Sequence, residues 1–289
     1  EYEGVRLDNF LISKLKGLPR AKIYSIIRKG EVRVNKSRSK PSYRVKVEDV
    51  IRIPPYTTNP KVNKKASDIS KDKVEESILR KEKDFLILNK PVGLACHGGS
   101  GISLGLIETL RQLDKKYAEA QLVHRIDKDT SGCLIVALKK SILRKMHKEI
   151  RNKNVDKLYT AVVKGKWPKD LQKITLPIKK ENLKSGERFV QVNNKGKLSE
   201  TEFQIISSGK SNTLIRAKII TGRTHQIRVH SSHKGHPIVG DLKYGDPIYN
   251  KQQQSKGLKR MLLHAESINF LNLGIEQSVP APSSFKEYV

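Results

Sequence analysis

The segment His124-Arg125-Ile126-Asp127-Lys128-Asp129-Thr130-Ser131-Gly132 runs directly into Cys133-Leu134-Ile135-Val136-Ala137, and this junction constrains the fold more than any other stretch of the chain. The apolar, β-branched run reads as a buried strand. Ahead of it, a tight loop carries two cations, Arg125 and Lys128, and two carboxylates, Asp127 and Asp129. A carboxylate beside Arg or Lys keeps its charge at neutral pH, because the opposite charge favours the ionised form. Anchored by a strand, such a group is a usable nucleophile or base. A solvated loop closed by a salt bridge has the same composition, so the cluster alone does not separate chemistry from packing.

The charge balance narrows the partners. The chain of 289 residues carries 58 basic and 29 acidic side chains, a formal charge of +29. That excess is too large for a neutral enzyme of small metabolites, and its natural polyanion is nucleic acid. A coding bias toward lysine accounts for only part of it. An anionic membrane surface fits less well, since there is no long amphipathic basic helix and no lipidation motif. No apolar run reaches about 18 residues, and the N-terminal residues carry no signal-peptide pattern, so no membrane partner is expected. Cys96 and Cys133 make neither a disulfide framework nor a zinc set. Both read as small buried hydrophobes, which suits a reducing compartment, the cytoplasm.

Three regions follow from pattern. In residues 1–55, Leu7, Leu11 and Leu15 recur at helical spacing after Asp8, which is suited to a helix N-terminus. Ile23, Ile26 and Ile27 repeat the pattern before Gly30 ends a second helix. Alternation over 31–35 and 45–53 predicts two short strands. Residues 1–60 hold 14 basic and 6 acidic side chains, a net of +8. Lys14, Lys16, Arg20, Lys22, Arg28 and Lys29 on the two helices suit a phosphate backbone, read without regard to sequence. Residues 56–80 lack a sustained apolar period and read as a linker with one short helix near its end. In 81–289, helices are expected near 102–113, 140–151 and 224–234. Strands are expected near 84–89, 133–138, 158–165 and 214–221. The irregular alternation is α+β, not doubly wound.

Further blocks break the tie left by the charged loop. Asn89-Lys90-Pro91-Val92-Gly93 follows an apolar strand, and Lys157-Leu158-Tyr159-Thr160-Ala161 opens another. Gly222-Arg223-Thr224-His225-Gln226-Ile227-Arg228-Val229-His230 precedes Gly235-His236-Pro237-Ile238 and Gly240-Asp241, and Leu262-Leu263-His264-Ala265 comes later. Together and in this order, these blocks and 124–132 resemble the RNA pseudouridine synthases that modify uridines in ribosomal and transfer RNA. His97-Gly98-Gly99-Ser100-Gly101 and Leu183-Lys184-Ser185-Gly186-Glu187-Arg188 resemble the branch acting on large-subunit ribosomal RNA. The first region, with Gly30-Glu31-Val32-Arg33-Val34-Asn35, resembles the small RNA-binding domain named after the fourth protein of the small ribosomal subunit.

The resemblance implies a catalytic domain with a mixed, mostly antiparallel sheet and a central cleft, behind a small α/β-type RNA-binding domain. It implies isomerisation of specific uridines in 23S ribosomal RNA, without cofactor or metal, by a monomer. Asp127 matches the catalytic aspartate, whether it attacks the ribose, attacks the uracil ring or takes a sugar proton. Asp129 is the competitor by chemistry alone; the resemblance leaves it to the loop, bonding backbone N–H groups. Tyr159 matches the tyrosine that stacks on the flipped uracil, with a hydroxyl available for the final proton removal. From its position alone, it equally reads as a strand tyrosine with a wet hydroxyl. Arg228 matches the partner of the catalytic carboxylate, and Arg125 the arginine that fills the space left by the extruded base. Arg223 suits a phosphate contact. Lys90 reads better as part of a turn than as a catalytic group.

His225, His230, His233 and His236 lack the spacing of a helical metal pair, and no carboxylate or cysteine completes a set. Packing or RNA contact is expected of them. A decayed, non-catalytic RNA-binding factor would have lost Asp127, Tyr159 or Arg228, and all three are present. A metal-dependent nuclease would need a ligand set that the chain does not offer.

Overall fold

The chain forms two units, residues 1–64 and 65–289. The structure, a computed structural model, describes residues 2–15, 17–56, 65–99, 104–182 and 188–289. In the first unit, α1 (Leu7–Lys14) and α2 (Arg20–Arg28) bury Leu7, Leu11, Ile23, Ile26 and Ile27 together with Val32, Val34 and Val45. The two expected strands shrink to β1 (Arg33–Val34) and β2 (Ile51–Arg52), paired antiparallel. The cause is local: Asn35, Lys36 and Glu48 adopt positive φ of 48°, 65° and 69°, which an extended strand cannot continue through. Asp8 is no N-cap. It lies inside α1, buried, and accepts bonds from Arg6 Nε (3.1 Å), Arg6 Nη2 (2.7 Å) and the Tyr24 hydroxyl (2.7 Å).

The second unit begins earlier than pattern suggested. Residues expected to end a linker at 80 form α3 (Asp68–Glu76) and β3 (Ile78–Lys81), and both belong to this unit. The helix is charged nearly all round and buries only Val74, so it leaves almost no apolar period to read. Then come β4 (Phe85–Lys90), α4 (Leu106–Leu113), β5 (Gln121–Leu122), β6 (Ser131–Ala137), α5 (Lys140–Arg151) and β7 (Val155–Lys164). They are followed by β8 (Lys173–Asn182), β9 (Arg188–Val192), β10 (Lys197–Ser208), β11 (Asn212–Ile219), α6 (Gln226–His233), α7 (Pro247–Ser255), β12 (Leu263–Phe270) and β13 (Ile275–Ser278).

One eleven-stranded sheet runs in the order β3-β4-β6-β12-β7-β11-β10-β8-β9, with β13 on β12 and β5 on β6. The β6–β12 pair is parallel; the other pairings are antiparallel. Alternation gives β6 two buried faces. Leu134 and Val136 pack with Leu106, Ile107 and Leu110 of α4, whereas Cys133, Ile135 and Ala137 pack with Met146 of α5. Both cysteines are buried. Gly132 permits the parallel contact, because a Cβ there would sit 2.3 Å from the Ala265 carbonyl oxygen.

Candidate active site

The loop bearing Asp127 lies between β5 and β6, and buried groups hold it from below. Lys90, the last residue of β4, is fully buried, and its Nζ donates to the carbonyls of Pro91 (2.8 Å), Leu94 (2.8 Å) and Lys128 (3.0 Å). Burial lowers its pKa to about 8. The side chain is a brace for the turn and the loop together. Cys96 Sγ donates to the Ile126 carbonyl at 3.2 Å. His124 Nε2 accepts the Ile135 N–H at 3.1 Å, and burial, with Lys157 nearby, lowers its pKa to about 3, so the imidazole is neutral.

Arg228 rises from the first turn of α6 into the same space. Its Nη1 donates to Asp127 Oδ2 at 3.3 Å, while Nε and Nη2 each donate to Asp241 at 2.8 Å. Both Arg228 and Asp241 are buried. Burial opposes both charges, but their mutual bonds outweigh it, so the Arg228 pKa is raised and that of Asp241 is lowered. The backbone N–H groups of Lys243 (2.9 Å) and Tyr244 (3.1 Å) also donate to Asp241 Oδ1. Gly240 brings the chain close enough: a Cβ there would meet the Arg260 carbonyl oxygen at 2.4 Å, and its φ is +79°. The expected pairing of Arg228 with Asp127 is present, but most of the guanidinium serves Asp241, whose part the sequence reading missed. Its signal, Gly240-Asp241 after the histidine block, was visible as a motif without a role.

His225 approaches Asp127 from the other side. It caps α6 with φ 54°, and its Nε2 lies 3.8 Å from Asp127 Oδ1. The Tyr244 hydroxyl accepts the Val190 N–H at 3.1 Å and lies 2.7 Å from His225 Nδ1. Burial lowers the His225 pKa, which favours the neutral imidazole.

Two cavities flank this group and share Arg125, Ile126, Asp127, His225 and Arg228. The smaller, of about 590 Å³, is walled by Tyr159, Ile227 and Leu263 and rimmed by Arg223 and Lys157. That volume lies within the about 300–1,000 Å³ of small-ligand sites, enough for a nucleotide. Tyr159 is buried in the wall; burial and then Asp127 raise its phenol pKa, so the ring is a neutral phenol. Arg125 and Arg223 are exposed at the cavity. Asp129 is exposed too, and among the described residues it receives no backbone N–H, contrary to the expected loop bonding.

The remaining expected residues lie elsewhere. In the first unit, Lys14, Arg20, Lys22, Arg28 and Lys29 are exposed; Lys14 sits 4.6 Å from the Tyr2 ring and Lys22 sits 5.2 Å from the Tyr56 ring. Lys16 falls outside the described residues, as do Ser100-Gly101 and 183–187. His230 is buried and bonds Ser199 (2.8 Å) and Thr201 (3.0 Å); His236 Nδ1 donates to the Lys164 carbonyl (3.0 Å). Among the described residues no group of three or more His, Cys, Asp or Glu side chains is placed to hold a metal ion, and no helix is long and apolar enough to cross a membrane.

An aspartate bonded by a buried arginine, a wall tyrosine and a nucleotide-sized cavity agree with what comparison finds: the chain belongs to the RNA pseudouridylate synthase family, whose sequence profile matches residues 84–233. An S4 domain profile matches residues 5–51. Among individual relatives, the chain is 48% identical over 271 residues to the ribosomal large subunit pseudouridine synthase C of Pasteurella multocida, covering 92% of this chain and 82% of that one. It is 44% identical over 281 residues to the protein of the same name in Escherichia coli, covering 94% and 86%. Among solved structures, human RNA pseudouridylate synthase domain containing 4 matches with a TM-score of 0.61 and 25% identity over 75% of this chain and 93% of that one. Human RNA pseudouridylate synthase domain containing 1 matches with a TM-score of 0.57 and 27% identity, over 72% and 84%.

Proposed function

We propose that this chain isomerises specific uridines to pseudouridine in large-subunit ribosomal RNA, with Asp127 as the reacting carboxylate. The observation that carries the reading is the juxtaposition of Asp127 and Arg228 at the mouth of a cavity walled by Tyr159. In the reaction the bond from ribose to the ring nitrogen breaks, the uracil turns within its pocket, a ribose–carbon bond forms, and the proton on that ring carbon leaves. Each route requires a carboxylate fixed beside the sugar and base, and Arg228 Nη1 holds Asp127 Oδ2 for that purpose, with the His225 ring packed close to the other oxygen.

A duplexed or stacked uridine reaches such a cavity only if it is extruded, at a cost of a few kcal/mol. Arg125, exposed beside Asp127, is suited to stack in the gap left behind and offset part of that cost. Tyr159 stacks on the extruded ring, and Arg223 on the cavity rim contacts phosphate. The names of the bacterial relatives support the large-subunit RNA as substrate, and the S4 match supports RNA contact by Lys14, Arg20, Lys22, Arg28 and Lys29. On this reading the enzyme acts as a monomer in the cytoplasm and draws on no cofactor. Tritium release from large-subunit RNA labelled on the uracil ring carbon is the test. Release by the wild-type protein and none by Asp127→Asn is the expected result; equal release by both would remove Asp127 from the chemistry.

A further inference from the structure

One helix of the second unit carries charge that neither the fold nor the site described above uses. From residue 139 to 153 the chain has seven Lys or Arg side chains and one acid, Glu149. Ile142, Leu143, Met146 and Ile150 of α5 pack on the sheet. Glu149 is buried with them and accepts bonds from Asn154 (3.1 Å) and Asn272 (2.7 Å). The opposite face is another matter. Lys140, Arg144, Lys148 and Arg151 recur at helical spacing, so they line up in one stripe about 16 Å long. All four are exposed, and among the described residues none of them, nor Lys145 or Lys153, is in an ion pair. Like charges four residues apart weaken a helix, so the free protein tolerates a repulsion that a polyanion would relieve.

The stripe has a direction. At its C-terminal end His147, Ile150 and Arg151 line the cavity that holds Tyr159 and Asp127, and Lys153 and Lys157 continue the rim. His147 Nε2 also donates to the Val123 carbonyl at 3.1 Å, which ties the helix to the residue entering the Asp127 loop. The apolar side of α5 is covered by the sheet, so the helix has nothing to insert into a lipid surface. We propose that the exposed face of α5 is the track for the RNA phosphates flanking the target uridine, with Lys140, Arg144 and Lys148 pairing to the backbone and Arg151 turning the strand into the cavity. This assignment rests on the synthase reading of that cavity.

The test compares full-length proteins binding a transcript of the large-subunit RNA across a potassium chloride series. The triple variant Lys140→Gln, Arg144→Gln, Lys148→Gln removes the stripe with a residue that keeps the helix. Its log Kd should rise less steeply with log salt, by about 2 in slope at about 0.7 for each phosphate left unpaired. Its single-turnover rate at saturating enzyme should stay near wild type, because the defect is one of binding. A control with the same charge change, Lys166→Gln, Lys169→Gln, Lys210→Gln, lies at the far end of β7, about 30 Å from the end that α5 feeds. It should leave the slope close to wild type. An unchanged slope in the stripe variant, or an equal reduction in the control, overturns the track. If the triple variant fails to fold, Arg144→Gln against Arg144→Lys gives the same answer, with a slope reduced by about 0.7 for the first and rescue by the second. The two readings fail separately. A wild-type protein that releases no tritium while the stripe variant still shows the reduced slope would refute the synthase assignment alone.

Discussion

Arg228 binds Asp241 with two nitrogens, at 2.8 Å each, and reaches Asp127 with only the third, at 3.3 Å. The buried pair is therefore a fixed mount, and the arm that touches Asp127 is what remains of the guanidinium. Asp241→Asn should leave a buried guanidinium without its main counter-charge, costing about 3–5 kcal/mol of stability. Denaturant titration reads that loss, and a stability within error of wild type would mean that the pair carries little.

Arg228→Lys should be nearly as damaging to single-turnover isomerisation as Arg228→Ala. An ammonium is one point of charge and cannot span both Asp241 oxygens while also reaching Asp127. Arg223→Ala should instead weaken RNA binding and spare the rate at saturating enzyme. Reversed phenotypes for the two arginines would mean that their roles are exchanged.

Asp127→Asn should bind the RNA transcript with near wild-type Kd and release no tritium. The amide keeps the volume, so the cavity and its brace at Lys90 are undisturbed. Binding lost in parallel with chemistry would show that the carboxylate matters for holding RNA.

Tyr159 separates ring from hydroxyl. Because its phenol is held neutral by burial and by Asp127, it cannot serve as a ready-made phenolate. Tyr159→Phe should retain RNA affinity and slow the chemical step, whereas Tyr159→Ala should also lose stacking, about 1–3 kcal/mol. A Tyr159→Phe enzyme at full rate would leave the hydroxyl without a part.

In the first unit, Asp8 has its pKa lowered from 3.8 to about 2, chiefly by its bond to Arg6, against the opposing effect of burial. The folded state thus binds fewer protons than the unfolded one between those values. The stabilisation is complete above the unfolded pKa and drains away as pH falls toward about 2. The protection of the α1 and α2 amides against hydrogen exchange in the full chain, corrected for the intrinsic pH dependence of exchange, should fall over that interval, and Arg6→Ala should flatten the response. No acid sensitivity in α1 would show that Asp8 does not hold the helix pair.

Much of this architecture was readable because its residues obey one period each. The α5 boundaries follow from Ile142, Met146 and Ile150, and β6 from its unbroken apolar run. Asp127, Tyr159, Arg228, Arg125 and Arg223 converge as their motifs implied. The hairpins β8 to β10 escaped notice because Lys, Glu and Asn crowd them and Pro177 interrupts the alternation. The Arg228–Asp241 pair escaped because spacing shows neither that a carboxylate is buried nor which cation it faces. The short helix expected near the end of the linker is α3, but its place in the second unit did not show because a single valine is all it buries.

The position of β12 has its own consequence for how the protein is made. This strand pairs with β6 and β7 at the middle of the sheet, and Ser131 bonds His264 across 133 residues of sequence. At about 5–20 residues per second of synthesis, β6 waits roughly 7 to 27 seconds for its neighbour to emerge. During that interval β6 and β7 present open edges, the form in which a strand most readily recruits the wrong partner. A message cut short before Leu263 would not yield a protein lacking its tail. It would yield one lacking its centre.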